Sequence, residues 1–455
     1  MAKTKSVFVC SNCGNEAAKW IGKCPACGEW NTYVEELIHK TGKPHLPGKD
    51  LSRPHPVRIA DIQTGDHERI NTLIGEFNRI LGGGLVPGSL VLLGGEPGIG
   101  KSTLVLQLAL MLSHLKILYV SGEESASQIK MRAQRISKDQ HGNCFVLSEV
   151  LLENIFVQIE NIQPDIVIVD SVQTVYTEQL ESSPGSVSQV RECAVRFLKY
   201  AKESAVPVIL VGHITKDGTL AGPKILEHIV DCVILFEGDN HLAYRVLRTT
   251  KNRYGSTSEL GIFEMHENGL TEVINPSEIL ISRSEEDLSG VTIAATLDGH
   301  RSFLIEVQAL VSTAAYGTPQ RSSTGFDARR LNMLLAVLEK RAGFKIAAKD
   351  VFLNIAGGIK VVDPAIDLAV ISAVISSGLD KPVDKNTCFA AEVSLSGEIR
   401  PVGRIEQRIR EAEKLGFGKI IISGANAILN NKNLKIKVLK VNKIEQALKL
   451  LFTNS

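Results

Sequence analysis

The clearest pattern in this chain is a set of short apolar runs, each ending in glycine, histidine or an acidic residue. Ser89-Leu90-Val91-Leu92-Leu93, Ile117-Leu118-Tyr119-Val120, Ile166-Val167-Ile168-Val169 and Pro207-Val208-Ile209-Leu210-Val211 are too short for helices and too uniformly apolar for half-exposed strands. They predict strands buried on both faces, the pattern of a parallel sheet. Between them stand segments of helical period, beginning with Leu104-Val105-Leu106-Gln107-Leu108-Ala109. Alternation of this kind predicts an α/β layer, a parallel sheet covered by helices. Further along, the pattern changes. Val291–Ala295 and Phe303–Val307 flank Asp298-Gly299 and predict a hairpin. Asp327–Arg341 places Leu331, Leu334, Leu335 and Leu338 on one helical face. Strands at Val351–Ile355 and Lys419–Ile422, and helices over Asp363–Ser376 and Arg404–Leu415, make the last third a separate α+β region.

The first strand runs into Gly95-Glu96-Pro97-Gly98-Ile99-Gly100-Lys101-Ser102-Thr103, and a helix follows. The segment fits G-x-x-x-x-G-K-[ST] in the strand–loop–helix setting that the motif needs. Glycines let successive backbone N–H groups curl around phosphate oxygens, and the helix start favours an anion. Lys101 would reach the β- and γ-phosphates of ATP, and the Ser102 hydroxyl would sit on Mg²⁺. The run ending in Asp170 supplies the second metal position. Gly122-Glu123-Glu124 closes another strand. Its carboxylates either orient the attacking water or form an acidic pair at a helix start. His213 ends a fourth strand, as a phosphate sensor or a capping residue. The loops at 181–186 and 215–223 read either as tracks for a nucleic-acid backbone or as ordinary surface loops. Lys251 and Arg253 fall on one side of an extended segment and can pair with phosphate, or simply end a basic strand.

Four of the eight cysteines lie at the front of the chain. Cys10-x-x-Cys13 and Cys24-x-x-Cys27 are paired knuckles that suit a tetrahedral, structural Zn²⁺ site with no open position. Trp20 and Trp30 are expected to give this small module its apolar cover. The prolines between His39 and Arg58 predict an extended linker. With 455 residues, two or three domains are expected. The expected boundaries are 1–36 for the Cys₄ module, 37–62 for the linker, 63–275 for the P-loop domain and 276–455 for the last domain. A net charge of +1 excludes a globally basic nucleic-acid binder, so any such site is local. No apolar run reaches membrane-span length, and no signal peptide is evident at the start, so a cytoplasmic protein is expected with no membrane partner.

Taken together, the Cys₄ knuckles, LGGGLVPGSLVLLGGEPGIGKST, VSGEES, DSVQT, VGHITKDGTLAGPKILEH and KNRYG resemble the bacterial RadA (Sms) family of DNA-repair ATPases. The family pattern KNRFG departs here only in Tyr254, which keeps an aromatic ring. The resemblance implies a RecA/KaiC-like ATPase core that forms a hexameric ring on single-stranded and branched DNA. It also implies branch migration alongside the recombinase RecA. Lys101, Ser102 and Asp170 would hold nucleotide and metal, and Glu123 or Glu124 would be the base. Lys251 and Arg253 would couple ATP to DNA movement across a subunit boundary. The last domain resembles the Lon protease domain, whose chemistry needs a serine nucleophile and a lysine. Val362-Asp363-Pro364-Ala365-Ile366-Asp367 places Ala365 in the serine's position, and Pro401-Val402-Gly403-Arg404-Ile405-Glu406 places Glu406 in the lysine's. No proteolysis is therefore expected, and Ser372, Ser376 and Ser377 are expected to be helix-surface or packing residues. Arg404, Arg408, Arg329, Arg330, Arg341, Lys345 and Lys349 form a basic neighbourhood, suited to DNA contact or simply solvated. The competing functions are an ATP-dependent Lon-like protease and a KaiC-like ATP switch.

Overall fold

The computed structural model describes residues 5–10, 15–38, 58, 68–137, 142–213, 225–238, 244–257, 259–281, 286–314, 319–427 and 434–452. Cys13, most of the proline-rich linker and the 215–223 loop lie outside them. The chain divides into two compact units, one of residues 1–257 and 263–272, the other of 258–262 and 273–455.

The front of the first unit is a small antiparallel sheet in the order β2-β1-β3, from β1 (Lys5–Cys10), β2 (Glu16–Ala17) and β3 (Tyr33–Ile38). Its core is Cys10, Cys24 and Tyr33, with Phe8, Ala17 and Cys27 packed against them. Trp20 and Trp30 do not cover it: they are 54% and 67% exposed. The module is too small to enclose two indoles, and its interior is filled by the cysteines and one tyrosine.

The larger part of the first unit begins with α1 (Gly75–Leu81), β4 (Leu90–Gly95), α2 (Lys101–Met111), β5 (Ile117–Ser121) and α3 (Ala126–Ile136). It continues through β6 (Cys144–Ser148), α4 (Leu152–Ile162), β7 (Ile166–Asp170), α5 (Val187–Ser204), β8 (Val208–His213), α6 (Ile225–Ile229) and β9 (Cys232–Glu237). The strands β9-β4-β8-β7-β5-β6 pair in parallel. β10 (Tyr244–Asn252) adds to β9 antiparallel, and the hairpin of β11 (Leu260–His266) and β12 (Gly269–Glu272) completes the sheet.

Period-2 alternation sorts each strand onto two cores. Val91, Leu93, Ile117 and Tyr119 join Phe77, Leu104, Leu108 and Ile129 on one face. Leu90, Leu92, Leu118 and Val120 join Ile155, Val190 and Phe197 on the other. With helices on both faces, the sheet needs strands apolar on both sides, which is why they read as continuous hydrophobic runs. Ser125 starts α3 with a capping box to Gln128, and the Ser186 hydroxyl at the end of the 181–186 loop accepts from Gln189 N.

In the second unit, α7 (Pro276–Leu280) precedes the hairpin of β13 (Val291–Asp298) and β14 (Arg301–Thr313). Then come β15 (Arg321–Thr324), α8 (Ala328–Ala342), β16 (Lys349–Ile355), α9 (Asp367–Leu379) and β17 (Thr387–Ala390). The short pair β18 (Glu392–Val393) and β19 (Ile399–Arg400) follows, then α10 (Ile405–Lys414), β20 (Lys419–Ser423), β21 (Lys437–Val441) and α11 (Ile444–Phe452). The main sheet has the mixed order β15-β16-β14-β13-β17-β20-β21. Residues Asp367–Ser376 of α9 are all buried, so this helix runs through the core. Among the described residues no helix is long and apolar enough to cross a membrane.

Candidate active site

The parallel register aligns the carboxyl ends of four strands. Gly95 pairs with His213, and Asp170 pairs with both Ser121 and Val211. Ligands of open α/β sheets bind at this edge, because loops leaving adjacent strands converge there. The phosphate loop leaves β4 here. Gly98 and Gly100 have φ of 79° and 114°, a region that side chains other than glycine's seldom enter. Glu96 and Pro97 are exposed at the tip, Ile99 is buried, and Ser102 and Thr103 are half-buried in the first turn of α2. The first N–H groups of α2 have no intrahelical acceptor, so they are free for an anion.

Lys101 is buried, and its Nζ donates to the carbonyl oxygens of Gly95 and Glu96, both at 2.8 Å. Burial lowers its pKa to about 8, against the opposing pull of the Asp170, Glu123 and Glu96 carboxylates. A bound phosphate would add to that pull and keep the ammonium charged. Nζ also lies 3.3 Å from His213 Nδ1, and His213 Nε2 lies 3.2 Å from Glu123 Oε1. Glu123 Oε1 accepts from Ser171 Oγ at 2.7 Å. Burial raises the Glu123 pKa, but the hydrogen bonds from Ser171 and His213 and the nearby cations outweigh it, so the net shift is down. Asp170 Oδ2 accepts from Tyr119 Oη at 2.6 Å, which fixes the carboxylate at the end of β7.

The two glutamates part here. Glu123 faces Lys101 and His213, whereas Glu124 pairs with Arg132 of α3. Just before them the chain passes so close to Thr174 that a Cβ at Gly122 would lie 1.9 Å from Thr174 Oγ1.

Lys251 and Arg253 lie elsewhere. β10 runs antiparallel to β9 and ends beside its start. Lys251 pairs with Val233, which pairs with Leu92, three positions before Gly95. That places its backbone roughly 10 Å down the strands from the phosphate loop. Its Nζ donates to the carbonyl oxygens of Glu227 and Val230 at 2.5 and 2.8 Å. Arg253 is half exposed, with Nη1 3.6 Å from the buried Asp231 carboxylate. Asp231 also takes Lys202 at 2.8 Å, and Arg69 Nη2 donates to Tyr254 O at 2.6 Å. Asp231 and Arg69 meet Arg253 and Tyr254 from other segments of the chain, and Tyr119 meets Asp170 only across the β5–β7 pairing, so no local pattern signals these contacts.

In the front module, Cys10, Cys24 and Cys27 bring their sulfurs within 4.8 Å of one another. The Cys10–Cys27 separation is 3.7 Å, close to the roughly 3.8 Å edge of a tetrahedron of thiolates at 2.3 Å from a zinc-sized ion. Three converging sulfurs on two turns fit a thiophilic metal, and Cys13 lies outside the described residues. Burial pushes the other thiols up, Cys144 to about 11 and Cys193 and Cys232 to about 12, so they stay protonated and inert.

In the second unit, Ala365 is fully buried in a turn capped by Asp363, whose Oδ1 accepts from Ala365 N at 3.1 Å. Asp363 Oδ2 pairs with Arg408 Nη1 at 2.6 Å, and the same nitrogen donates to Ala295 O at 2.7 Å. Arg408 is 3% exposed and Arg330 is a bidentate partner of the buried Asp367, so neither belongs to an open basic face. Ser372 and Ser376 are buried and bond back to the carbonyl oxygens of Leu368 and Lys381, so they pack rather than face solvent.

A P-loop on β4, an acidic residue ending β7 and a glutamate after β5, at one edge of a two-faced parallel sheet, define a RecA-like ATPase core. A metal-binding ribbon precedes it and a Lon-protease-like domain follows. Comparison with known proteins agrees: residues 53–219 match an AAA domain, 8–35 a rubredoxin metal binding domain, and 312–426 the subunit ChlI of Mg-chelatase. DNA repair protein RadA of Bacillus subtilis (strain 168) is 49% identical over 99% of both chains. Those of Listeria monocytogenes and of Streptococcus pyogenes serotype M6 are 47% and 45% identical over 98% and 100%. The chain belongs to the RadA family. Among solved structures, a KaiC-like protein from Pyrococcus horikoshii matches with a TM-score of 0.38 and 21% identity, over 45% of this chain and 99% of that one.

Proposed function

We propose that this chain is an ATP-driven motor of recombinational DNA repair. It acts in the cytoplasm as a hexameric ring on single-stranded and branched DNA, and drives branch migration alongside the recombinase RecA. The names of its relatives support the repair role. ATP with Mg²⁺ occupies the β4 edge. Lys101 and the loop N–H groups hold the phosphates, and Ser102 and Asp170 hold the metal. Glu123 orients the attacking water, while His213 links the phosphate end to the loop beyond β8. Zn²⁺ on Cys10, Cys13, Cys24 and Cys27 holds the front module together.

The observation that carries the motor reading is the placement of Lys251 and Arg253. Both sit at the end of the sheet away from their own phosphate loop. Cations there cannot serve their own nucleotide, but they can serve a neighbouring subunit's or the DNA. Such an arrangement makes hydrolysis depend on assembly, as trans-acting arginines do elsewhere. The protease reading has nothing to act with: Ala365 has no nucleophilic atom, and Glu406 cannot replace a lysine base.

The test is ATP-dependent branch migration by the full-length protein. Wild type should move the junction and Lys101→Ala should not. Lys251→Ala and Arg253→Ala should still bind DNA while moving it poorly. Unimpaired movement by both of these variants removes the coupling role. ATP-dependent casein cleavage by the purified protein would overturn the whole reading.

A further inference from the structure

Arg245 is the side chain that the reading above leaves without a task. It lies on β10 and is 6% exposed, an unusual place for a guanidinium. Its Nε donates to the carbonyl oxygen of Ile99 at 3.2 Å, and its Nη1 to that of Tyr244 at 3.0 Å. Ile99 is the phosphate-loop residue just before Gly100, 146 positions away in sequence. Gly238 leaves room for the contact: a Cβ there would lie 2.9 Å from Arg245 Cδ.

We propose that Arg245 is a positioning residue for the nucleotide, acting through the Ile99–Gly100 peptide. In a planar trans peptide the carbonyl and the next N–H point in opposite directions. A carbonyl of Ile99 held towards Arg245 turns the Gly100 N–H away from β10, into the hollow of the loop where a phosphate sits. The glycines on either side give this orientation little support of their own. Gly98 and Gly100 both take positive φ and lack the side chains that would resist rotation. If that peptide turned over, a carbonyl oxygen would face the anion in place of an N–H. The Arg245 hydrogen bond therefore pre-organises the cradle, and preorganisation acts on affinity. The buried cation behind the loop works in the same direction, because it favours a negative ligand at short range.

This inference rests on residues 95–102 being the nucleotide site, and the experiment separates the two. Fluorescent ADP is titrated into the full-length protein and ATP turnover is measured alongside. Arg245→Met, which removes the donor and the charge, should raise the nucleotide Kd and the KM for ATP about tenfold, equivalent to about 1.4 kcal/mol. At saturating ATP, kcat should stay within about twofold; without nucleotide the melting temperature should fall, since two carbonyl oxygens behind the loop lose their donor. Arg245→Lys keeps the charge and one donor and should restore affinity to within about threefold. If the Met variant does not fold, Arg245→Gln takes its place in the same titration. A folded Met or Gln variant that binds nucleotide within twofold of wild type overturns the proposal, and so does a loss confined to kcat. Lys101→Ala is the control. If it binds and turns over nucleotide normally, the site itself is misread; if it fails while Arg245→Met is normal, only the role of Arg245 falls.

Discussion

Glu123→Gln and Glu124→Gln differ by one position in the chain, yet they should differ by orders of magnitude in ATP turnover. Glu123 Oε1 is held by the Ser171 hydroxyl at 2.7 Å and by His213 Nε2 at 3.2 Å, on the same side as the Lys101 ammonium. Glutamine keeps the shape and at least one of these contacts but cannot accept a proton from water. Loss of a positioned general base costs about 10²–10⁴-fold, and that is the expected fall in kcat for Glu123→Gln. Nucleotide affinity should stay within a few-fold, because Glu123 does not hold phosphate. Glu124 pairs with Arg132 instead, so Glu124→Gln loses one partly exposed ion pair, worth up to about 1 kcal/mol of stability, and little turnover. Phosphate release at saturating ATP, with parallel nucleotide titration, measures both. The sign of the pH effect follows from the lowered Glu123 pKa. A base with a pKa below its ordinary 4.5 stays ionised through neutral and mildly acidic pH, so kcat should hold until the pH falls below that value. Equal losses in the two variants would refute the assignment. So would an acid limb centred well above 4.5, which this carboxylate cannot produce.

Two further outcomes concern the other modules. Arg408→Met strands the nearly buried Asp363 carboxylate and two backbone partners, so it should destabilise the second unit by about 3–5 kcal/mol in chemical denaturation, while the double variant with Asp363→Asn recovers part of the loss. A chelator strong enough to take zinc, or Cys24→Ser, should release one metal ion per chain in a dye assay and unfold the front module, since its small core is built around the cysteines. ATP turnover without DNA should persist, and an unchanged metal content in Cys24→Ser would remove the zinc assignment.

Much of the ATPase core was legible in the chain. Its strands are apolar without interruption because both faces of the sheet are covered, and its loop carries glycines because phosphate needs bare N–H groups. Three sulfurs of the Cys₄ pattern converge as the spacing predicts. The cover expected from Trp20 and Trp30 does not form, since a residue's apolar character says nothing about whether a small fold has an interior to receive it. The basic neighbourhood of the last domain forms only in part, for a related reason. Charge counts along the sequence cannot reveal that Asp363 and Asp367 are buried and draw Arg408 and Arg330 onto themselves.

What the sequence alone determined, then, is local: element types, the phosphate loop, the knuckle spacing, and the missing serine and lysine of the Lon-like domain. These depend on periodicity and on residue chemistry within a few positions. The tertiary structure decided everything that needs two distant segments in register. It aligned Gly95, His213 and Asp170 at one edge. It turned Glu123 towards Lys101 and Glu124 towards Arg132. It moved Lys251 and Arg253 to the other end of the sheet, and set Arg245 behind a loop 146 positions earlier. Strand order and pairing direction fix these meetings, and neither is written in any short stretch of the chain.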